Sequence, residues 1–576
     1  MRRRDFLRNM LPMGLAPFAL NGIPLRALSQ TMMPAGFSCA DIQDRALVIV
    51  QLHGGNDGLN TFLPVDQYSL YRNYRPIIGI PDTGPRSYIN LDTTLPIGDQ
   101  VGLNPDLGAF KALYDQGKAR VIQQVSYPSN NGSHFRGTDI WLTGNDGNTM
   151  PEHPSSGWWG RYLNHWYPNY PDAYPNTDMM DPPGLEFGSH IVSLGFHREV
   201  GIPMGLTLSN DPSGFYNLVS GLGGALPDNF PASDYGDELR YIVEIERSTN
   251  VYAQRLSDVF ALGGNTVTYP DTYHTNAASH YRNPLSAQLR TVARLLSGGS
   301  RTKIFLVRMG GFDTHANQGI PDKPSFGGHS ALLYHLSQAL KAFQDDLQGL
   351  GIEDRVMTVT FSEFGRQVAE NGTFGTDHGT SAPMMVIGKG VNPGVSGTNP
   401  NLSSLSNNNL TGYQHDYRQV FTTLLQDWLG ANNGTLDEVG FYPFSGQKLP
   451  LVNTQYVDTS GTTVDYTADP TCDQTPDLPA LKVDAGLNRR TELQVFPNPA
   501  RDTASLSLTW DRMQPATLLL ADIAGHAVRT QEIRLYAGTQ TVELDITGLS
   551  PGTYVVLLTL PHAGKRPAGS TKLVIL

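Results

Sequence analysis

Apolar, β-branched runs that end in polar or glycine-rich loops recur along most of the chain, and this pattern restricts the fold most strongly. The first run, ALVIVQL at 46–52, is followed by HGGNDGLN, and similar runs begin at 119, 303 and 356. A fifth apolar run covers 383–391. Such runs are typical of strands that are buried on both faces of a parallel sheet.

Between the predicted strands, apolar residues recur at spacings of three and four, which predicts helices. The segments with this pattern are 239–262, 285–299, 329–351 and 420–430. Strands that alternate with helices predict an α/β fold with an open, mostly parallel sheet covered by helices. Because ligands bind beyond the carboxyl ends of the strands in such sheets, the loops at those ends are expected to form an active site.

Several of these loops carry side chains that suit a metal ion. Asp57 lies among glycines that let a carboxylate approach a cation, although the same neighbours favour an aspartate that caps a turn or a helix. Asp313 and His315 are two residues apart, so on an extended segment they point to the same side. A carboxylate beside an imidazole is a suitable donor pair for a divalent metal ion. Glu363 follows the strand predicted from 356.

Charge and cysteine content exclude some classes of function. The formal net charge of −12 argues against a nucleic-acid partner, because phosphate backbones require a basic surface. Charged residues make up only 16% of the chain, a composition that favours an exported protein. The two cysteines, Cys39 and Cys472, belong to no zinc-finger pattern. A disulfide between them and two unpaired thiols are both open alternatives.

The N-terminal segment, residues 1–30, has the features of an export signal. Arg2, Arg3 and Arg4 precede a modest apolar stretch, and the RRDFL sequence resembles a twin-arginine signal. An ordinary Sec signal is the alternative. No later segment has 18 consecutive apolar residues, so no transmembrane segment is expected in the mature protein.

The last part of the chain has a different character. Residues 451–490 are rich in Thr, Asp and Pro and show no periodicity, which indicates a linker. From 491 to 576, short alternating strands punctuated by turn residues predict an all-β, Ig-like sandwich.

Three motifs in this region occur in a recognisable order: VFPNPARDTASL at 495–506, DIAGHAV at 522–528 and LDITGLSPGTYVVLL at 544–558. They resemble the type A sorting domain of the type IX secretion system. The resemblance implies that residues 491–576 are recognised by that machinery. The protein would pass through the periplasm and then be secreted or held on the outer cell surface. A generic Ig-like carbohydrate or adhesion module is the alternative.

The main part of the chain, residues 45–450, resembles the DUF1501 family. The motifs that carry the resemblance are LHGGNDGLNTFLPV, YPSNNGSHFRGTDIW, GWWGRYL, GGFDTHANQ, FSEFGRQVAENGTFGTDHGTSAPMMVIGKGV and HDYRQVFTTLLQDWLG. The family is grouped with alkaline phosphatases and sulfatases, and its own activity is poorly defined. The resemblance implies an alkaline-phosphatase-like fold and a divalent metal ion, with zinc, manganese and calcium as the choices.

The superfamily pattern implies roles for individual residues. It places a metal-binding aspartate at Asp57, and the TDHGTSAP segment resembles its last metal-binding element, which makes His378 the leading ligand candidate beside Asp377. The chain also departs from the pattern. Glu363 replaces an aspartate, and Phe364 replaces a metal-binding histidine of the second metal site. The histidine of the Asp313 motif follows after two residues rather than four.

A superfamily enzyme also needs a serine or threonine nucleophile. Ser133 is the first choice and Ser129 the second, while His134 and Arg136 are expected to orient or neutralise a phosphate or sulfate. The alternative is that Ser133 caps the helix that follows it.

Two functions remain in competition. The first is an exported, metal-dependent hydrolase of a small anionic phosphate or sulfate ester. The second is a non-catalytic secreted or surface binding protein on the same fold, which the loss of a ligand at Phe364 favours. A Ser-His-Asp acyl hydrolase is disfavoured because no serine lies in a G-x-S-x-G motif.

Overall fold

The structure is a computed structural model. It describes residues 44–171, 174–176, 179–188, 192–208, 252–273, 282–457 and most of 493–575. The predicted export signal, both cysteines and most of the predicted linker lie outside the described residues. Among the helices of the described ranges, none is long and apolar enough to span a bilayer.

A central sheet of nine strands forms the main domain, by which we mean the described residues between 44 and 457. The strands of the main domain, numbered in chain order, are β1 (Ala46–Leu52), β2 (Phe62–Pro64), β3 (Ile89–Asn90), β4 (Val101–Leu103), β5 (Ala119–Ser126), β6 (Gly184–Phe187), β7 (Gly205–Leu208), β8 (Ile304–Met309), β9 (Val356–Phe361), β10 (Ala382–Ile387), β11 (Gly394–Ser396), β12 (Leu405–Ser406), β13 (Asn409–Leu410) and β14 (His415–Asp416). The order across the central sheet is β11-β5-β10-β9-β1-β8-β6-β7, with β14 paired to β5.

The central sheet is mostly parallel, which confirms the predicted α/β class. Strand β1 pairs in parallel with β8 on one side and with β9 on the other. Strand β10 is the exception, since it runs antiparallel to both β5 and β9. The apolar run at 383–391 correctly predicted a buried strand, but burial on both faces does not encode the direction of a strand.

Helices cover this sheet, and four of them lie in the segments predicted from periodicity. They are α1 (Gly58–Thr61), α2 (Tyr68–Tyr74), α3 (Gly108–Asp115), α4 (His134–Thr143), α5 (Trp158–Trp166), α6 (252–262), α7 (Pro284–Ser297), α8 (Gly328–Gly349), α9 (Tyr417–Thr423) and α10 (Asn433–Val439). Every residue of β1, β9 and β10 is buried, so these central strands are covered on both faces. The part of the predicted 239–262 helix before 252 lies outside the described residues.

The C-terminal domain is all antiparallel β structure, as predicted. Its strands are β15 (Gln494–Phe496), β16 (Ala504–Trp510), β17 (Gln514–Asp522), β18 (Ala527–Leu535), β19 (Gly538–Leu544), β20 (Gly552–Thr559) and β21 (Pro567–Ile575). They form one sheet of three strands and one of four, and apolar residues of both sheets share one core. Two motif residues hold its turns: the Asn498 side chain accepts a hydrogen bond from the Val574 amide, and the Tyr554 hydroxyl donates to the Ser550 carbonyl.

Candidate metal centre

The loop that follows β1 depends on glycine. Gly54 has a φ of +124°, and a Cβ atom at this position would lie 2.2 Å from the backbone nitrogen of Asp313. Side chains rarely tolerate either condition. The absence of a side chain therefore lets the loops after β1 and β8 approach each other at the carboxyl edge of the sheet.

Glu363, just beyond β9, is fully buried beneath these loops. Its Oε1 atom accepts hydrogen bonds from the Gly54 amide and from Nδ1 of His134, each at 2.8 Å. His134 is the first residue of α4. The carboxylate therefore joins the loop after β1 to the start of α4 and fixes the orientation of the His134 ring.

Two further histidines are oriented in the same way. Nδ1 of His315 lies 3.0 Å from Oδ1 of Asp377, and Nδ1 of His378 lies 2.8 Å from the carbonyl oxygen of Gly132. A carbonyl oxygen or an ionised carboxylate can only accept, so each Nδ1 atom carries the proton. In a neutral ring, the other nitrogen, Nε2, then presents a lone pair.

These Nε2 atoms converge on the carboxylate of Asp313. The Nε2 atoms of His315 and His378 lie 3.1 and 3.2 Å from its Oδ1 atom and 2.8 Å from each other. Nε2 of His134 lies 3.4 Å from Oδ2 of Asp313. Metal-binding histidines commonly show this arrangement, with one ring nitrogen facing the centre and the other held by an oxygen behind it.

The charge state of the centre follows from its surroundings. Burial lowers the pKa of His378, so the ring is neutral near pH 7. Burial raises the pKa of Asp313, but the hydrogen bond and the charge of the Arg366 guanidinium help to bring it down to about 2. The centre therefore combines an ionised carboxylate with an uncharged His378 imidazole.

The Arg366 guanidinium is buried next to the centre. It donates to Oδ1 of Asp313 at 2.6 Å and to the carbonyl oxygens of Gly55, Phe312 and Thr376 at 2.8 to 3.1 Å. Its side chain has no exposed surface. These contacts commit Arg366 to Asp313 and to the backbone.

Asp57 has a different set of partners from the three histidines. It is fully buried, pairs with Nη1 of Arg75 at 2.6 Å, and accepts hydrogen bonds from the Leu59 amide and from Nε2 of Gln318. Burial raises the pKa of Asp57, but the charges and hydrogen bonds of its neighbours, those of Arg75 first, together hold the pKa below the usual value of an aspartate. The geometry matches the alternative weighed from the sequence, an aspartate that caps α1.

Glu363 and Asp377, both expected as metal ligands, lie behind the imidazoles rather than among the converging Nε2 atoms. Each accepts a hydrogen bond from a histidine that faces Asp313. Their direct binding to a metal stays a prediction. His315, His378 and Asp313 are brought together as the sequence predicted, while His134 joins them from a segment that had been assigned to substrate contact.

The other residues assigned to substrate chemistry have local structural contacts. Ser133 is the N-cap of α4 and accepts from the Arg136 amide at 3.4 Å. The Arg136 guanidinium donates to the carbonyl oxygens of Met150 and Pro151. The Ser129 hydroxyl donates to Oδ1 of Asn148 at 2.7 Å. Their predicted catalytic roles stay predictions.

Two aromatic rings complete the surroundings of His134. Phe364 is buried, and its ring centroid lies 4.8 Å from that of His134 and 4.6 Å from that of His378. His53 is exposed and stacks on His134 at 5.9 Å, a position that the sequence analysis missed. The signal was present, because His53 directly follows the first predicted strand.

The geometry defines a mostly parallel α/β protein with a centre of three histidines and one aspartate at the carboxyl edge of its sheet. Residues 233–455 match the family described as "Protein of unknown function (DUF1501)", and residues 494–574 match the "Secretion system C-terminal sorting domain". These matches confirm both resemblances over the residues that they cover. No curated protein sequence matches the chain.

Solved structures with similarity to the chain include members of the alkaline phosphatase superfamily. One such protein from Vibrio parahaemolyticus is 11% identical, covers 67% of each chain and has a TM-score of 0.29. The lipoteichoic acid synthase LtaP from Listeria monocytogenes is also 11% identical, covers 68% of this chain and 73% of its own, and has a TM-score of 0.28.

A third similarity is confined to a small part of the chain. Latent PorU from Porphyromonas gingivalis is 17% identical over 15% of this chain, with a TM-score of 0.14. The chain spans only 9% of the length of PorU.

The buried Asp57–Arg75 pair predicts a pH-dependent loss of stability on substitution. At pH 7, Asp57→Asn should lower the free energy of unfolding by about 3 kcal/mol or more, because Arg75 keeps a buried, unpaired charge. The pair stabilises fully above pH 3.8 and ceases to do so as the pH falls through the lowered pKa of Asp57, so the two proteins should converge in acid. Denaturant unfolding in the presence of a chelator measures this difference.

The matched control is Asp115→Asn, which removes an exposed pair with Lys111. Its effect should stay within about 0.5 kcal/mol, as for other exposed helix pairs. Equal stability of wild type and Asp57→Asn at pH 7 would show that the buried pair contributes nothing.

Proposed function

We propose that the main domain is a divalent-metal-dependent hydrolase of a phosphate or sulfate ester. The observation that carries the proposal is the convergence of three imidazole Nε2 atoms on the Asp313 carboxylate. The residues fit a cation, because the Nε2 atom of His134 is buried without a hydrogen-bond partner among the described residues. Facing lone pairs repel each other unless a positive charge lies between them.

The surrounding residues prepare the centre for such an ion. Glu363, Asp377 and the Gly132 carbonyl fix the rings, and Arg366 holds Asp313. When bound, a divalent ion supplies Lewis-acid chemistry towards an ester oxygen. The side chains of Asp313 and His315 are 49% and 43% exposed, which leaves one side of the centre open to a substrate.

A metal-binding protein without turnover is the second candidate. The buried Phe364 ring favours it, because this apolar side chain packs against His134 and His378 where the superfamily pattern has a ligand. This candidate shares the metal centre and differs only in lacking hydrolysis.

Metal content and ester turnover test the proposal together. The purified full-length protein should contain near-stoichiometric zinc, manganese or calcium by elemental analysis, and His378→Ala should lose most of it. Aryl phosphate and aryl sulfate esters then report turnover, which should fall in the same variant. Metal with no turnover across an ester panel would favour the binding protein, and no metal after loading with excess ions would overturn both.

Ser133 remains our proposed nucleophile, and its second role as an N-cap can be separated from catalysis. Asparagine is as good an N-cap as serine but has no hydroxyl. We expect Ser133→Ala and Ser133→Asn to bind metal normally and to lose turnover by about 10³-fold or more. Wild-type turnover in Ser133→Asn would show that Ser133 only caps α4.

The sorting domain indicates export by the type IX machinery, followed by secretion or attachment at the cell surface. We propose that the chain first enters the periplasm by its N-terminal signal, through the twin-arginine or the Sec route. Truncation before 494 should leave the protein inside the cells of a host with that machinery, as judged by fractionation and immunoblotting. Full-length His378→Ala is the matched control and should be exported normally.

A further inference from the structure

Two carboxylates at the carboxyl edge of the sheet are each neutralised by a buried arginine. Oδ2 of Asp57 lies 2.6 Å from Nη1 of Arg75, and Oδ1 of Asp313 lies 2.6 Å from Nη2 of Arg366. None of the surface of either arginine side chain is exposed. The Asp57 carboxylate is also buried, whereas that of Asp313 is half-exposed and faces the histidines.

The Arg75 guanidinium is fixed in its position. It donates to Oδ1 of Asn60 and to the carbonyl oxygens of Val368 and Gln367 at 2.7 to 2.9 Å, in addition to Asp57. Asp57 in turn accepts from Arg75, Gln318 and a backbone amide. A metal ion at Asp57 would have to displace a buried cation that is held by four separate acceptors.

The remaining charges match one divalent ion. Imidazoles that bind a metal ion through Nε2 are neutral, so, with the two arginine pairs counted as neutral, the formal negative charges beside the histidines belong to Glu363 and Asp377. Both accept hydrogen bonds from histidines that face Asp313. One doubly charged cation compensates these two charges, and a second would leave an excess of positive charge in a partly buried site.

The donor set selects a class of ion. Three imidazole nitrogens and one carboxylate suit zinc and similar transition metals, whereas calcium takes six to eight oxygen ligands. A tetrahedral zinc site with bonds of about 2.0–2.1 Å separates its donor atoms by about 3.3–3.4 Å. The Nε2 atoms of His315 and His378 lie 2.8 Å apart, and the three Nε2 atoms lie 3.1 to 3.4 Å from the Asp313 oxygens, distances close to that spacing.

We infer that the centre takes a single ion of the zinc class through His134, His315, His378 and Asp313, and that Arg75 occupies the place of a second ion at Asp57. This inference rests on the metal centre proposed above. Asp57 is then a positioning residue that ties α2 and the segment at 367–368 to the loop after β1. It makes no contact with the ion.

Metal stoichiometry in the full-length protein tests the inference without reference to activity. The apo protein is titrated calorimetrically with Zn²⁺ and separately with Ca²⁺, and the loaded protein is analysed for metal after gel filtration. We expect one Zn²⁺ per chain and an affinity for Zn²⁺ roughly 100-fold or more above that for Ca²⁺. Co²⁺ in place of Zn²⁺ should give the visible absorption of a four-coordinate site.

Two isosteric variants distinguish the roles of Asp57 and Asp313 in metal binding. Asp57→Asn should retain one Zn²⁺ with an affinity within about threefold of wild type, whereas Asp313→Asn should lose about tenfold or more, because only the second loses a ligand charge. Three results would each overturn this inference but not the proposed function. They are two Zn²⁺ per chain in the wild type, a preference for Ca²⁺, and loss of Zn²⁺ from Asp57→Asn. A wild-type chain that binds no ion would overturn the proposed function as well. If Asp57→Asn does not fold, the number of Zn²⁺ ions bound per wild-type chain still tests whether the centre takes one ion.

Discussion

The hydrogen bonds of Arg366 join the loops that follow β1 and β8 to the segment that precedes β10. Burying a guanidinium is costly unless its donors are satisfied, and here the acceptors come from Gly55, Phe312, Thr376 and Asp313. These acceptors lie on different parts of the chain, so the guanidinium is satisfied only when all the loops are in place. The same contacts hold Asp313 against the three histidines, which makes the position of that carboxylate a product of the folding of the whole edge.

The three histidines around Asp313 are also held by residues from other segments of the chain. Each ring is held at Nδ1 by an acceptor that belongs to a different segment, and each Nε2 faces inwards. The tautomers are thereby set before any ligand arrives. The buried Phe364 ring packs against two of these rings. The most exposed side chains of the centre are those of Asp313 and His315.

Five strands of the central sheet, four of the helices and the edge that carries the candidate site could be predicted from the sequence, because periodicity and strand-end loops are local signals. The direction of β10 could not, since it depends on pairing with β5 and β9. The role of Asp57 could not either, because its partners Arg75 and Gln318 are 18 and 261 residues away in the chain. His134 was recognised as functional, but nothing local shows that α4 begins beside Asp313.

Strand β10 lies between β5 and β9 and runs against them, so His378 reaches the centre from a segment that precedes its strand. The last of the four converging residues is therefore placed only when β10 docks into a gap between two strands that come earlier in the chain. Long-range pairing of this kind closes slowly compared with local structure. For a protein that crosses membranes, the order of these events has a chemical consequence. The centre is complete only once β10 has docked. The ions that it first encounters are therefore those of the compartment in which this docking takes place.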